Sequence, residues 1–128
     1  MLIKIPVSVG ELADKITILE IKKIKIKEKN KLVSIDNELY QLKKIIKSKN
    51  ILTSVIIAEI VKLKKLNLRL WNIEDSKRKY EKNGNFDEKF VKLARNVYLL
   101  NDKRAHVKLN INKLTNSNII EIKSYNNY

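Results

Sequence analysis

The stretch "SVGELADKITILEIKKIK", residues 8–25, decides how this chain folds. Ser8 and Glu11 are spaced as a capping box, in which the serine caps the third helical amide and the glutamate reaches back. Val7 and Leu12 stand at the staple positions around that start. Beyond it, at about 100° per residue, Val9, Leu12, Ala13, Ile16, Leu19 and Ile24 fall on one broad apolar face. Glu20 lies inside that face with Lys23 nearby, whereas Glu11, Asp14, Lys15 and Lys22 fall outside it. The helix is well marked, and its apolar face carries charge.

Upstream, "LIKIPV" (residues 2–7) alternates loosely and then meets Pro6, which reads as extended chain. Downstream, the first helix is expected over residues 9–28. "KEKNK" then breaks the chain with Asn30 as the turn residue. A second helix over 31–48 carries the stripe Leu32, Ile35, Leu39, Leu42 and Ile46. A third takes up residues 53–82 and ends at Asn83-Gly84, which supplies the positive-φ positions a terminus needs. Asn85 to Glu88 forms a second capping box, opening a fourth helix over 86–114 that closes at "TNSN". The tail "IIEIKSY" (119–125) alternates again, as a strand able to lie against residues 2–7. The fold class is therefore all-α: one domain over residues 1–128, an antiparallel bundle of about four helices with short extended N- and C-terminal segments.

The later helices repeat the anomaly of the first. In the fourth, Phe90, Leu93, Ala94 and Val97 point inward, and the same stripe continues as Asn101, Arg104, Ala105, Lys108 and Asn112. In the third, Ile56, Ile60, Leu63 and Leu70 lead on to Asn67, Trp71, Glu74 and Arg78. A buried unpaired charge is strongly destabilising, so three arrangements remain open. The groups pair across helices, with Glu20 to Arg104 the expected bridge. Alternatively they line a polar cleft for an anionic ligand, or a helix boundary turns them outward. The candidate cleft residues are Glu20, Lys23, Glu74, Arg78, Asn101, Arg104, Lys108 and Asn112. In an enzyme, Arg104 and Lys108 would grip charge and Glu20 would serve as acid or base.

Glu11 and Asp14 sit one turn apart, as two magnesium-binding carboxylates would. Beside a helix N-terminus, the same pair serves as dipole partner and cap. Trp71 and Tyr98 read as core aromatics. His106 is the lone histidine and projects off the stripe, so neither a serine triad nor a histidine metal cluster is available. No motif names a cofactor.

The formal charge is +14 and the chain has no cysteine, which removes a disulfide framework, a thiol nucleophile and a Cys-type zinc site. The positive charge comes from 24 lysines against 4 arginines. Nucleic-acid readers favour arginine, whose fork matches phosphates and guanine, so the charge reads first as a solvated lysine surface. Non-specific nucleic-acid binding is the third reading, after a binding or assembly module and a small enzyme for an anionic metabolite. The expected partner is an anionic small molecule or a protein, a second copy of the chain included. No apolar run is long enough for a membrane span, and the N-terminus lacks the core of a signal peptide, so the expected location is the cytoplasm.

Four stretches, "KIPVSVGELADKITILEIKK", "LWNIED", "FVKLARNVYLLNDKRAHVKLNIN" and "EIKSY", resemble a bacterial family of small uncharacterised proteins, domain of unknown function 6165. The resemblance covers most of the chain and implies company with glycosyltransferases and other surface-polysaccharide genes. Carried onto this chain, its motif positions include Glu11, Asp14, Lys15, Thr17, Glu20, Lys22, Arg95, Asn101, Asp102, Arg104 and Lys123. "VGELADKI" is also similar to the first metal helix of all-α nucleotide pyrophosphohydrolases, but their second pair of acids is missing here. The lining of Arg, Lys, Glu and Asn looks like helical chorismate mutase, without that enzyme's first-helix arginine.

Overall fold

A computed structural model describes residues 1–124 and contains four helices: α1 (Val9–Lys25), α2 (Lys29–Ser48), α3 (Ser54–Lys82) and α4 (Glu88–Leu114). The capping serine of α1 is in place, Ser8 Oγ accepting from Glu11 N at 3.0 Å. The reciprocal half of the box does not form, because the Glu11 carboxylate turns instead to Lys108. α1 ends at Lys25, three residues earlier than its pattern implies, since Ile26 is already extended. That early end leaves Ile24 exposed and places Asn30 inside α2, with the break at residues 26–28.

Of the Asn83-Gly84 pair, only Gly84 takes a positive φ, at 64°. The cap of α4 is Asp87 and not Asn85: its carboxylate accepts from Lys89 N at 3.1 Å and Phe90 N at 3.2 Å. Asn85 supports this cap from behind, accepting from Asp87 N. An ionised carboxylate two residues further along satisfies two open amides at once, and the helix start moves to it.

α1 is the central helix and packs on all three others, while α3 and α4 pair as an antiparallel hairpin. α2 approaches only α1 closely. Two apolar clusters result. Ile16 and Leu19 of α1 meet Ile35, Leu39 and Ile46 of α2. Ala13 of α1 meets Leu63 of α3 and Val107 and Ile111 of α4. The first helix therefore has two buried faces where its large apolar residues mark one.

The α3–α4 hairpin outruns this body. No residue between 68 and 99 is fully buried, and the distal end is held by a half-buried seam with Phe86 edge-on to Phe90 at 5.2 Å. Trp71 is accordingly half-buried and Tyr98 is 39% exposed, so neither is the core aromatic that helix periodicity implies. Residues 1–8 and 119–124 lie outside the helices without regular structure, and among the described residues there is no strand, so the pairing expected of the two end segments is not seen. Tyr125, the last residue of the expected C-terminal strand, lies outside the described residues.

Candidate functional site

Gly10, Ala13, Asp14, Thr17 and Ile21 make up the second buried face of α1. Gly10 lets two backbones touch: a Cβ there would lie 2.5 Å from the carbonyl oxygen of Lys108. Its amide donates to Asn112 Oδ1 at 2.6 Å, and Val9 N donates to Ser117 Oγ at 3.2 Å. With Glu11 N on Ser8 Oγ, the open amides of Val9, Gly10 and Glu11 all have side-chain partners. Asn112, expected in a ligand cleft, is instead a fully buried pin between the end of α4 and the start of α1.

One turn past this contact, Asp14 is buried with 1% exposure. Arg104 holds it bidentately, Nε donating to Oδ1 at 2.9 Å and Nη2 donating to Oδ2. Asn67 Nδ2 donates to Asp14 Oδ1 and to Thr17 Oγ1, both at 2.9 Å, and the Thr17 hydroxyl donates to the Asp14 carbonyl at 2.8 Å. The buried carboxylate is thus matched by a cation and a neutral donor, which its removal from water requires. The hydrogen bond to Asp14 raises the Arg104 pKa further above its ordinary value, against the opposing effect of burial.

The expected Glu20–Arg104 bridge is not formed, and Asp14, expected outside the buried face, takes Glu20's place. The physical reason is the double-faced packing of α1. A wheel centred on Leu12, Ile16 and Leu19 finds the face toward α2, and the face toward α3 and α4 is built of small residues that add little to it. The spacing of Gly10, Ala13, Asp14, Thr17 and Ile21, at i, i+3, i+4, i+7 and i+11, was the available signal. Glu20 instead lies between Lys43 of α2 and Lys64 of α3, each at 3.5 Å. Lys23 bridges to Asp36 of α2 at 2.8 Å. Neither residue reaches Arg104, so Glu20 is not placed to act as acid or base beside it.

Lys108, one turn beyond Arg104, is buried and meets three carboxylates: Glu11 at 2.7 Å, Glu121 at 3.2 Å and Asp14 at 3.7 Å. Burial pulls its pKa down, but the Glu11 hydrogen bond, the Asp14 charge and the Glu121 hydrogen bond outweigh it, so the net direction is up. Glu11 and Asp14, the pair spaced like metal ligands, thus take Lys108 and Arg104 as counter-charges. Among the described residues no group of three or more His, Asp or Glu side chains is placed to hold a metal ion. A further buried acid, Glu59 of α3, escaped the periodicity altogether; its hydrogen bonds from Lys62 and Asn110 lower its pKa.

Where the hairpin leaves the body, a cleft of about 500 Å³ opens between α1, α3 and α4. Ile18, Ile21, Leu70 and Val97 supply apolar lining, with Trp71 among them. Asn67, Glu74, Asp75, Arg78, Asn101 and Arg104 supply the polar groups. Four of the expected cleft residues, Glu74, Arg78, Asn101 and Arg104, therefore meet here. A second recess of about 260 Å³ shares Asn101 and Arg104 and adds Lys108, Glu121 and Lys123. His106 lies apart from both, in a shallow outer groove with Lys65, Arg69 and Lys103.

Among the described residues, no helix is long and apolar enough to cross a membrane. No curated protein and no solved structure matches the chain. Over residues 3–128 it matches the profile described as "Family of unknown function (DUF6165)", and the chain belongs to that family.

Proposed function

We propose that this protein is a small helical binding module whose Trp71 cleft takes a hydroxylated organic anion of the size of a sugar phosphate or sugar acid. The observation that supports this most is the composition of the cleft. A half-buried indole and an aliphatic wall adjoin two arginines, two amides and two carboxylates. Its volume of about 500 Å³ lies within the usual range for small-molecule sites. The apolar face of a sugar ring would lie on Trp71, its hydroxyls would donate to Glu74 and Asp75, and its anionic group would turn to Arg78 and Arg104. The floor is rigid, because Arg104 is fixed by Asp14 and Asn67 by Asp14 and Thr17. A preorganised floor lowers the ordering cost of binding. A net charge of +14 also favours encounter with anions.

The family likeness, with its implied company of glycosyltransferase and surface-polysaccharide genes, fits a cytoplasmic module that carries or presents such a compound. The test is calorimetric titration of a panel of sugar phosphates, sugar acids and uncharged sugars against the protein and its Arg78→Ala variant. Arg78 is exposed and outside the buried network, so the variant should fold normally. At least one anionic member should bind, with affinity about tenfold weaker in the variant, the equivalent of about 1.4 kcal/mol. A panel without a binder, or a binder indifferent to Arg78, contradicts the reading.

A further inference from the structure

The smaller recess is already partly filled, and its occupant belongs to the chain. Glu11 and Asp14 approach Lys108 from α1, which packs directly on α4. The third carboxylate, Glu121, comes from the segment after α4, which has no regular structure and whose residues 118–124 are exposed. That segment begins firmly, with Ser117 N on the Asn112 carbonyl at 2.9 Å and Ser117 Oγ on the Ile119 carbonyl at 2.8 Å. Beyond Ile119, the ion pair of Glu121 with Lys108 at 3.2 Å ties it to the recess, and Lys123 of the same segment pairs with Glu121 at 2.8 Å. A carboxylate on an exposed strap thus sits on a buried ammonium, with a guanidinium, an amide and a second ammonium around it.

Lys108 already has Glu11 and Asp14 of α1 as counter-charges, so folding does not depend on Glu121 to neutralise it. With the strap swung out, Lys108, Arg104 and Asn101 would face solvent together where the recess of about 260 Å³ now lies, and Lys123 would leave with the strap. That is a site for a compact oxyanion: two cationic groups and an amide, beside the Glu11 and Asp14 carboxylates of α1. We propose that this recess is an anion-binding site and that Glu121 is its resident occupant, displaced when an external phosphate or carboxylate takes its place on Lys108. The site lies beside the Trp71 cleft and shares Arg104 and Asn101 with it, but its occupation does not require that cleft to be filled. Binding of the external anion then releases the strap, so ligand occupancy and the position of residues 118–124 are coupled.

The probe is inorganic phosphate, followed by amide chemical shifts in the full chain, its Glu121→Gln variant and a Glu38→Gln control. Glu38 pairs with Lys15 on the outer surface and removes the same charge elsewhere. An intramolecular competitor acts at millimolar effective concentration, so removing its charge should tighten phosphate binding by about tenfold. The shifts should centre on Arg104, Ala105 and Lys108, and the control should bind as the unaltered protein does. Adding Lys108→Gln to the Glu121→Gln variant should abolish the gain. Equal affinities in the protein and the Glu121→Gln variant would overturn the proposal. So would an equal gain in the control, or no phosphate-dependent shifts in any of the proteins. Equal phosphate affinities in the protein and the Glu121→Gln variant, with a sugar anion still binding the Trp71 cleft, would sink this proposal alone.

Discussion

Asp14 and Glu20 are separated by less than two turns of the same helix, and their surroundings set very different consequences for losing them. Asp14 is 1% exposed and both of its carboxylate oxygens are committed, one to Arg104 and Asn67 and the other to Arg104. Asp14→Ala leaves the half-buried Arg104 guanidinium without its counter-charge and the buried Asn67 amide without its acceptor, which should cost about 3 kcal/mol. Glu20 is 27% exposed at its side chain, and its two lysine partners are more exposed still. Glu20→Ala should therefore cost no more than about 1 kcal/mol. Urea denaturation of the two variants separates the cases. Similar losses for both, or the larger loss for Glu20, would mean that the buried centre has been assigned to the wrong carboxylate.

At the scale of elements, the C-terminal strap is the part whose attachment depends on pH. The hydrogen bond from Lys123, and then that from Lys108, lower the Glu121 pKa below its ordinary 4.5. A lowered carboxyl pKa means that the attachment is complete above 4.5 and is lost as pH falls through the lowered value. Amide exchange and chemical shifts of residues 118–124 should report release in that acid window, while the helices remain folded. Release that begins at neutral pH instead would remove Glu121 as the anchor. The elements themselves were legible in the sequence to the degree that local chemistry fixes them. Ser8 and Gly84 mark an observed start and stop, and the stripe of α2 lies where its leucines and isoleucines put it. The end of α1, the cap of α4 and the depth of Asp14 were not legible, because each is settled by competition. Ile26 leaves the helix against its pattern, Asp87 displaces Asn85, and the small residues Gly10 and Ala13 give α1 a second contact face that hydrophobicity does not weight. The cleft was half legible for the same reason. Glu74, Arg78, Asn101 and Arg104 lie on α3 and α4, whose polar stripes face one another, whereas Glu20 pairs between α2 and α3 and Lys23 pairs with α2.

For the whole molecule, the formal charge of +14 is spread over lysines on every helix, with carboxylates interspersed. Binding to duplex DNA should then arise only from phosphate neutralisation, weaken steeply with salt and vanish near physiological ionic strength. Sequence-selective binding that survives at that salt would make the outer lysine surface the functional one. The cleft gives a sharper readout, because Trp71 is the only tryptophan in the chain and lies in its lining. Tryptophan emission and its quenching by acrylamide therefore report on this site alone. The decisive measurement is acrylamide quenching of Trp71 with and without the tightest-binding sugar anion of the calorimetric panel. Bound ligand should shield the indole, lowering the quenching constant by about half or more and shifting emission to the blue, with the effect lost together with binding in Arg78→Ala. Saturating ligand that leaves both emission and quenching unchanged would contradict the assignment of this cleft as the binding site.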